Sequence, residues 1–234
     1  MKGSSPVLRR VIAVSAAVLG VGLVATGCSS VKFGAAAIVG NQRITLATLD
    51  TEVTNLSQNI KQYHNPASLS AAQQTQDTLT WLIRFQINEQ LAHAEGITVS
   101  AAQAQTALAQ VDAEAKSELE SEGASNPSLD YILSYIGIPS NLATEVGRYQ
   151  AIDTQFIEQV NGGKVPTATA AQTATTAKLQ RAQCTAAKAL QIQVSPQFGR
   201  LNYSQLEVVT VPGTVARPAG AAKAASTAGL TPAC

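Results

Sequence analysis

Two copies of one helix-start signal, about thirty residues apart, constrain this chain more than any other feature. Ser70-Ala71-Ala72-Gln73 and Ser100-Ala101-Ala102-Gln103 both have the Ser-x-x-Gln form of a capping box. That arrangement satisfies two free amides at a helix N-terminus. After the first box, Leu79, Leu82, Ile83, Ile87, Leu91 and Ala94 recur at helical spacing, which predicts a helix running to Glu95. Gly96 stands where a left-handed cap ends such a helix. The second box predicts another long helix, with a thin stripe of small residues: Ala104, Ala107, Leu108, Val111 and Ala115. Its far end, Glu114 to Glu122, is polar and expected in solvent.

Elements of the same kind flank this pair. Ala36 to Val39 and Arg43 to Thr45 are β-prone runs around Gly40-Asn41-Gln42, the pattern of a small hairpin. Leu49, Val53, Leu56 and Ile60 predict a helix over Leu46 to Gln62. Asn65-Pro66 breaks the chain. Asn126-Pro127 opens a shorter helix, with Pro tolerated at its first position, Leu129, Ile132, Leu133 and Ile136 on its buried side, and Gly137 as its stop. Ser140 is expected to cap the next helix, patterned by Leu142, Val146, Tyr149, Phe156 and Val160 up to Gly162-Gly163. Thr167 to Leu190 reads as a weakly amphipathic helix. Ile192 and Val194, then Leu206, Val208 and Val209, suggest strands. From Pro212 the chain is rich in Pro, Gly and Ala without a period, the composition of a loosely held tail.

The N-terminus supplies an address. Lys2, Arg9 and Arg10 precede the uncharged, mostly apolar run Val11 to Ala25, and Leu23-Val24-Ala25-Thr26-Gly27-Cys28 closes it. A basic start, a short apolar middle and a small residue before the cut describe a secretory signal peptide. The apolar run is shorter than the roughly 18–20 residues of a membrane-spanning helix. It resembles the lipobox of bacterial lipoproteins, which implies that Cys28 becomes the lipidated first residue of the mature chain and holds it on the extracytoplasmic face of the cell membrane. The alternative is an ordinary secretory signal with an incidental cysteine. Outside the cytoplasm the two remaining thiols, Cys184 and Cys234, tend to pair, the alternative being two separate thiols.

The expected organisation is therefore a signal peptide over 1–27, a tether over 28–35, one helical domain over 36–210 and a tail over 211–234. Losing residues 1–27 removes three of the 16 Lys and Arg, leaving 13 against 15 Asp and Glu, a net charge near −2. No basic stripe remains to neutralise a run of phosphates, so nucleic acid is excluded as a partner.

Ile38-Val39-Gly40-Asn41-Gln42-Arg43-Ile44-Thr45 resembles the opening motif of the SurA N-terminal domain, shared with PrsA-type foldases. Trp81 to Leu91, followed by Ala94-Glu95-Gly96-Ile97-Thr98-Val99-Ser100, resembles that family's two-helix core. There a hydrophobic helix ends at a Gly-Ile-x-Val-Ser junction and a second capped helix begins. Val194-Ser195-Pro196-Gln197-Phe198-Gly199 is similar to a Val-Asn-Pro-Arg-Phe/Tyr-Gly segment of actinobacterial SurA-like lipoproteins, from which Ser195 and Gln197 depart. The resemblance covers roughly residues 36–210. It implies a mainly α fold: a SurA N-terminal-like helical module with a small β element formed by the N-terminal hairpin and the C-terminal strands. Such foldases often carry a parvulin prolyl-isomerase domain, but Gly162 to Leu190 is too short to hold one and contains no His. The implied function is the chaperone half alone.

Catalytic chemistry finds no candidates. His64 and His93 are the only histidines, and neither sits in a His-Glu-x-x-His or Cys-x-x-Cys pattern. Glu89 and His93 are four apart on one helix, a pairing expected to be a surface polar pair rather than a metal site. Nucleophile-elbow and phosphate-loop motifs are absent. No metal, cofactor or enzymatic activity is expected. Peptide-binding surfaces favour large, partly exposed aromatics, which singles out Trp81, Phe85, Tyr131 and Tyr135 as contact candidates, with core packing as the commoner alternative. The reading is a lipid-anchored chaperone-like protein binding unfolded or exported polypeptides, or else an adaptor for one folded envelope protein.

Overall fold

In the computed structural model, residues 34–63 and 69–211 are described. The apolar run before Cys28, Cys28 itself, His64, Pro66, Cys234 and the tail from residue 212 lie outside them. The described chain opens with the hairpin β1 (Ala35–Val39) and β2 (Gln42–Thr45), which turns at Gly40 and Asn41. Thr45 then caps α1 (Leu46–Gln62), its hydroxyl accepting from the Thr48 amide at 2.9 Å.

Both capping boxes form. In α2 (Ala71–Glu95) Ser70 and Gln73 satisfy each other's amides, and Gly96 closes the helix in the left-handed conformation. In α3 (Ala101–Ser121) Ser100 and Gln103 repeat the arrangement. After α3 come α4 (Leu129–Tyr135), a single 3-10 turn at Ser140–Leu142, α5 (Ala143–Val160) and α6 (Thr169–Ala189). Three short strands follow: β3 (Gln193–Val194), β4 (Arg200–Asn202) and β5 (Glu207–Val209).

The fold is mainly helical, as the resemblance implies, but its β structure is divided. β3 pairs antiparallel with β1, giving a sheet of order β2-β1-β3, whereas β4 and β5 form a separate two-stranded ribbon. β4 had no period-2 signal, because three residues are too few to show one. Two caps also differ from expectation. Pro127 precedes the cap of α4, which is Ser128, whose Oγ accepts from the Tyr131 amide at 3.2 Å. Ser140 caps nothing; its hydroxyl accepts from Asn59 Nδ2 on α1 at 3.0 Å.

α2 is the spine. Leu79, Ile83, Ile87 and Leu91 are buried against β1, α5, α6 and Val208 of the ribbon in the main core. Each contributes about 2 kcal/mol of apolar burial. Ala94 falls off this stripe and is exposed. The stripe of small residues on α3 has a packing purpose. Ala104 and Ala107 are buried, and α5 approaches so closely that a Cβ on Gly147 would lie 2.4 Å from the Ala104 carbonyl oxygen. Only the absence of a side chain permits that crossing.

A buried polar knot joins three helices. Asp153 Oδ1 on α5 accepts from Asn88 Nδ2 of α2 at 2.9 Å and from Gln183 Nε2 of α6 at 3.1 Å. Gln183 also donates to Asn88 Oδ1 and to the Tyr149 hydroxyl, while Asn88 reaches the Tyr149 carbonyl. Burial pushes the Asp153 carboxyl up to about 7, against the opposing pull of the Asn88 and Gln183 hydrogen bonds. A folded-state value above the unfolded one favours folding while the group is protonated, and the contribution is lost as pH rises through the folded value. Stability from Asp153 is therefore complete below about pH 4 and gone above about pH 7. In Asp153→Asn the new carboxamide oxygen accepts the same two bonds without charge. That variant is expected to melt several degrees above the wild type at pH 8 and to lose its advantage toward pH 4, in thermal scans followed by circular dichroism.

Candidate functional site

The face of α2 that leads away from the main core carries Trp81, Arg84 and Phe85. Trp81 and Phe85 stand one helical turn apart with ring centroids at 5.8 Å, and Tyr149 of α5 meets both rings edge-on at 5.9 and 6.2 Å. Phe85 is only 8% exposed and belongs to a second core cluster with Leu133, Ile138, Leu142 and Val146. It supports Trp81 from below and does not face a partner. Tyr149 is likewise enclosed, and its hydroxyl pKa is raised, chiefly by burial.

α4 lies over this cluster. It buries Ile132 and Leu133 and turns the stacked pair Tyr131 and Tyr135 outward, their ring planes within 18° and their centroids 6.3 Å apart. Tyr135 is 39% exposed. The helix stops at Tyr135, so Ile136 leaves the helical stripe and is 45% exposed, the reverse of its sequence assignment. Its carbonyl accepts a long hydrogen bond from the half-buried Trp81 indole at 3.4 Å. Of the four sequence-selected aromatics, Phe85 lies in the core, Trp81 meets the end of α4 through the Ile136 carbonyl, and Tyr131 and Tyr135 stack on the outer face of α4. Tyr63, which caps α1, reaches the same end by donating to Asp130 Oδ2 at 2.9 Å; that bond raises its pKa first of all.

Arg84 closes the opposite border. Its guanidinium sits 5.0 Å over the Trp81 ring, a cation–π contact. Nε donates to the Leu206 carbonyl, and Nη2 to the Gln205 carbonyl and to Glu207 Oε1, at 3.0 to 3.1 Å. With the Val208 amide bonded to Thr80 Oγ1 at 2.9 Å, this fastens the β4–β5 ribbon to α2. Asp77, beside Gly137, has its carboxyl pushed up to about 6 by burial, helped by the Glu207 charge and opposed by Arg84. Sequence reading passed over Arg84 because nothing marks its distant partners.

The remaining candidates take other places. Glu89 does not pair with His93; it forms a two-point ion pair with Arg148 of α5. Among the described residues no cluster of three or more His, Cys, Asp or Glu is placed to hold a metal ion. No described helix is long and apolar enough to cross a membrane. Cys184 is buried on α6, while Cys234 and Cys28 are not among the described residues.

Residues 6–118, slightly under half of the chain, match the family model of the SurA-like N-terminal domain. That domain is a chaperone-type module. No curated protein and no solved structure matches the chain significantly.

Charge-assisted bonds to main-chain carbonyls are the strong kind. Arg84→Ala is expected to cost about 1–3 kcal/mol and to accelerate amide exchange selectively across residues 200–209. Uniform exchange behaviour in the two proteins would mean that the ribbon is held by other contacts.

Proposed function

We propose that this chain, with its match to the SurA-like N-terminal domain, is an extracytoplasmic lipoprotein that holds unfolded or extended polypeptides and has no prolyl-isomerase activity. The observation that carries the reading is the outward face of α4. There Tyr135 and Ile136 stand exposed, Tyr135 stacked on Tyr131 and the Ile136 carbonyl held by the Trp81 indole. Exposed large apolar side chains on neighbouring positions mark candidate interaction surfaces, and aromatic groups contribute large area at little conformational cost. Binding is driven by removing that area, and the apolar side chains of an incompletely folded client, from water.

The lack of isomerase activity is supported by the connection between α5 and α6. Only residues 161–168 separate the two helices, and α6 itself packs into the main core. Nothing there accommodates a folded domain of roughly 90 residues. The anchor rests on sequence: the charged start, short apolar run and Cys28 together. In the same reading Cys184 pairs with Cys234, the two thiols left once Cys28 carries lipid, in a compartment that favours disulfides.

The wild-type protein is expected to suppress aggregation of a chemically unfolded model protein. Tyr135→Ser/Ile136→Ser is expected to lose most of that effect with its melting temperature unchanged, since both side chains are exposed. Equal light-scattering curves with and without the wild-type protein would reject the reading. For the anchor, mass spectrometry of the mature protein is expected to find diacylglycerol on Cys28; an unmodified cysteine, or a chain beginning elsewhere, would remove it.

A further inference from the structure

On the side of α2 that faces the hairpin turn, a cavity of about 570 Å3 opens between α2, the turn and the end of α6. Its size falls in the range of ligand sites. Gln86, Glu89, Gln90 and His93 form its floor, one face of α2 at steps of three and one. The turn and α6 make a single wall, because the Gly40 amide donates to the Leu190 carbonyl at 2.7 Å.

The chemistry of the lining is unusual. Six carboxamides converge there: Asn41, Gln42, Gln86, Gln90, Gln191 and Gln193. None of these side chains hydrogen-bonds to another described residue. Gln86 and Gln90 are half-buried at the floor, and Asn41, Gln42, Gln191 and Gln193 stand exposed around it, each with one carboxamide donor and one acceptor group not spent within the protein. The Glu89 carboxylate is engaged by Arg148, so the lining offers no unpaired carboxylate for an ionic ligand. No aromatic ring lines the cavity to stack on a sugar face; its apolar part is Ile38, Val39, Ala189 and Leu190.

A carboxamide is the same functional group as the peptide bond and matches it donor to acceptor and acceptor to donor. β3, which contributes Gln193, is also an edge strand of its sheet, where an added extended segment lies alongside existing main chain. We propose that this cavity binds the main chain of an extended, uncharged polypeptide segment through carboxamide-to-peptide hydrogen bonds that read no side-chain sequence. The proposal rests on the polypeptide-binding reading above and assigns it a second, polar subsite on the opposite side of α2 from the α4 face.

The test uses the full-length protein and a fluorescein-labelled peptide of about nine Ala, Ser, Thr and Val residues. A shuffled copy and a copy N-methylated at alternate amides accompany it, and binding is read by fluorescence anisotropy. Parent and shuffled peptides are expected to bind alike. The methylated copy should bind about ten-fold more weakly, as should the parent peptide to Gln86→Leu/Gln90→Leu, the loss of about one net hydrogen bond. Both glutamines are partly exposed, and the methylated peptide tests the unaltered protein in case the variant misfolds. Equal binding of the methylated copy, or unchanged binding to the folded variant, overturns the proposal. So does binding of diacetylchitobiose in calorimetry without binding of any peptide, which makes the cavity a saccharide site. Aggregation suppression by the wild type separates the two readings: suppression without peptide binding at the cavity overturns this proposal alone, and absence of both overturns the two together.

Discussion

The fold depends on one buried carboxyl. Asp153 is enclosed with no cation among its described hydrogen-bond partners, yet it ties α2, α5 and α6 together through Asn88 and Gln183. An unpaired buried charge is expensive, and removing either carboxamide would take a donor from acceptors held in low dielectric. The knot therefore specifies how α6 docks. Burial of apolar α6 residues such as Leu179, Ala186 and Ala187 is non-directional, whereas the hydrogen bonds of Gln183 to Asn88, Tyr149 and Asp153 require one placement of the helix. With α6 placed, Leu190 receives the Gly40 amide and β3 arrives beside β1.

Helix existence was legible because α2 and α3 carry complete local instructions: cap, stripe and stop. Tertiary pairing was not. The ends of α4 illustrate the difference. A four-residue period continued through Ile136 places that residue inside, but Gly137 ends the helix at Tyr135, and the following peptide turns the side chain out. The polar knot did leave a trace in the sequence that went unread. Asp153 lies between Tyr149 and Phe156 on the stripe of α5, Asn88 between Phe85 and Ala92 on α2, and Gln183 between Leu179 and Ala187 on α6. Three polar residues at apolar positions of three helices are a signature of mutual satisfaction in the core. Of the aromatics singled out, Phe85 is enclosed in the core, whereas Tyr135 is exposed and Trp81 half-buried; Arg84, whose guanidinium lies over the Trp81 ring, and the exposed Ile136 carried no sequence signal for these positions.

α2 serves three environments at once because a helix longer than its core contacts has faces to spare. Its aliphatic stripe faces the sheet, α5 and α6; Trp81 and Arg84 face α4 and the ribbon; Gln86, Gln90 and His93 face the hairpin turn. Rigidity set by the first face is transmitted to the other two, since the side chains share one backbone. The two surfaces differ in kind. One presents aromatic area that rewards desolvation, the other carboxamides that reward hydrogen bonding.

The pairing of β1 with β3 has a consequence for the order in which the protein can be assembled. Ala37 and Val194 are neighbours in space but lie near opposite ends of the described chain, and contacts of such long sequence separation form late. As the chain is synthesised the hairpin forms with one edge unpaired until the helices and residue 194 have followed. The sheet is thus a completion mark: it closes only on a chain that has been delivered through residue 194, so a prematurely ended chain keeps an open edge.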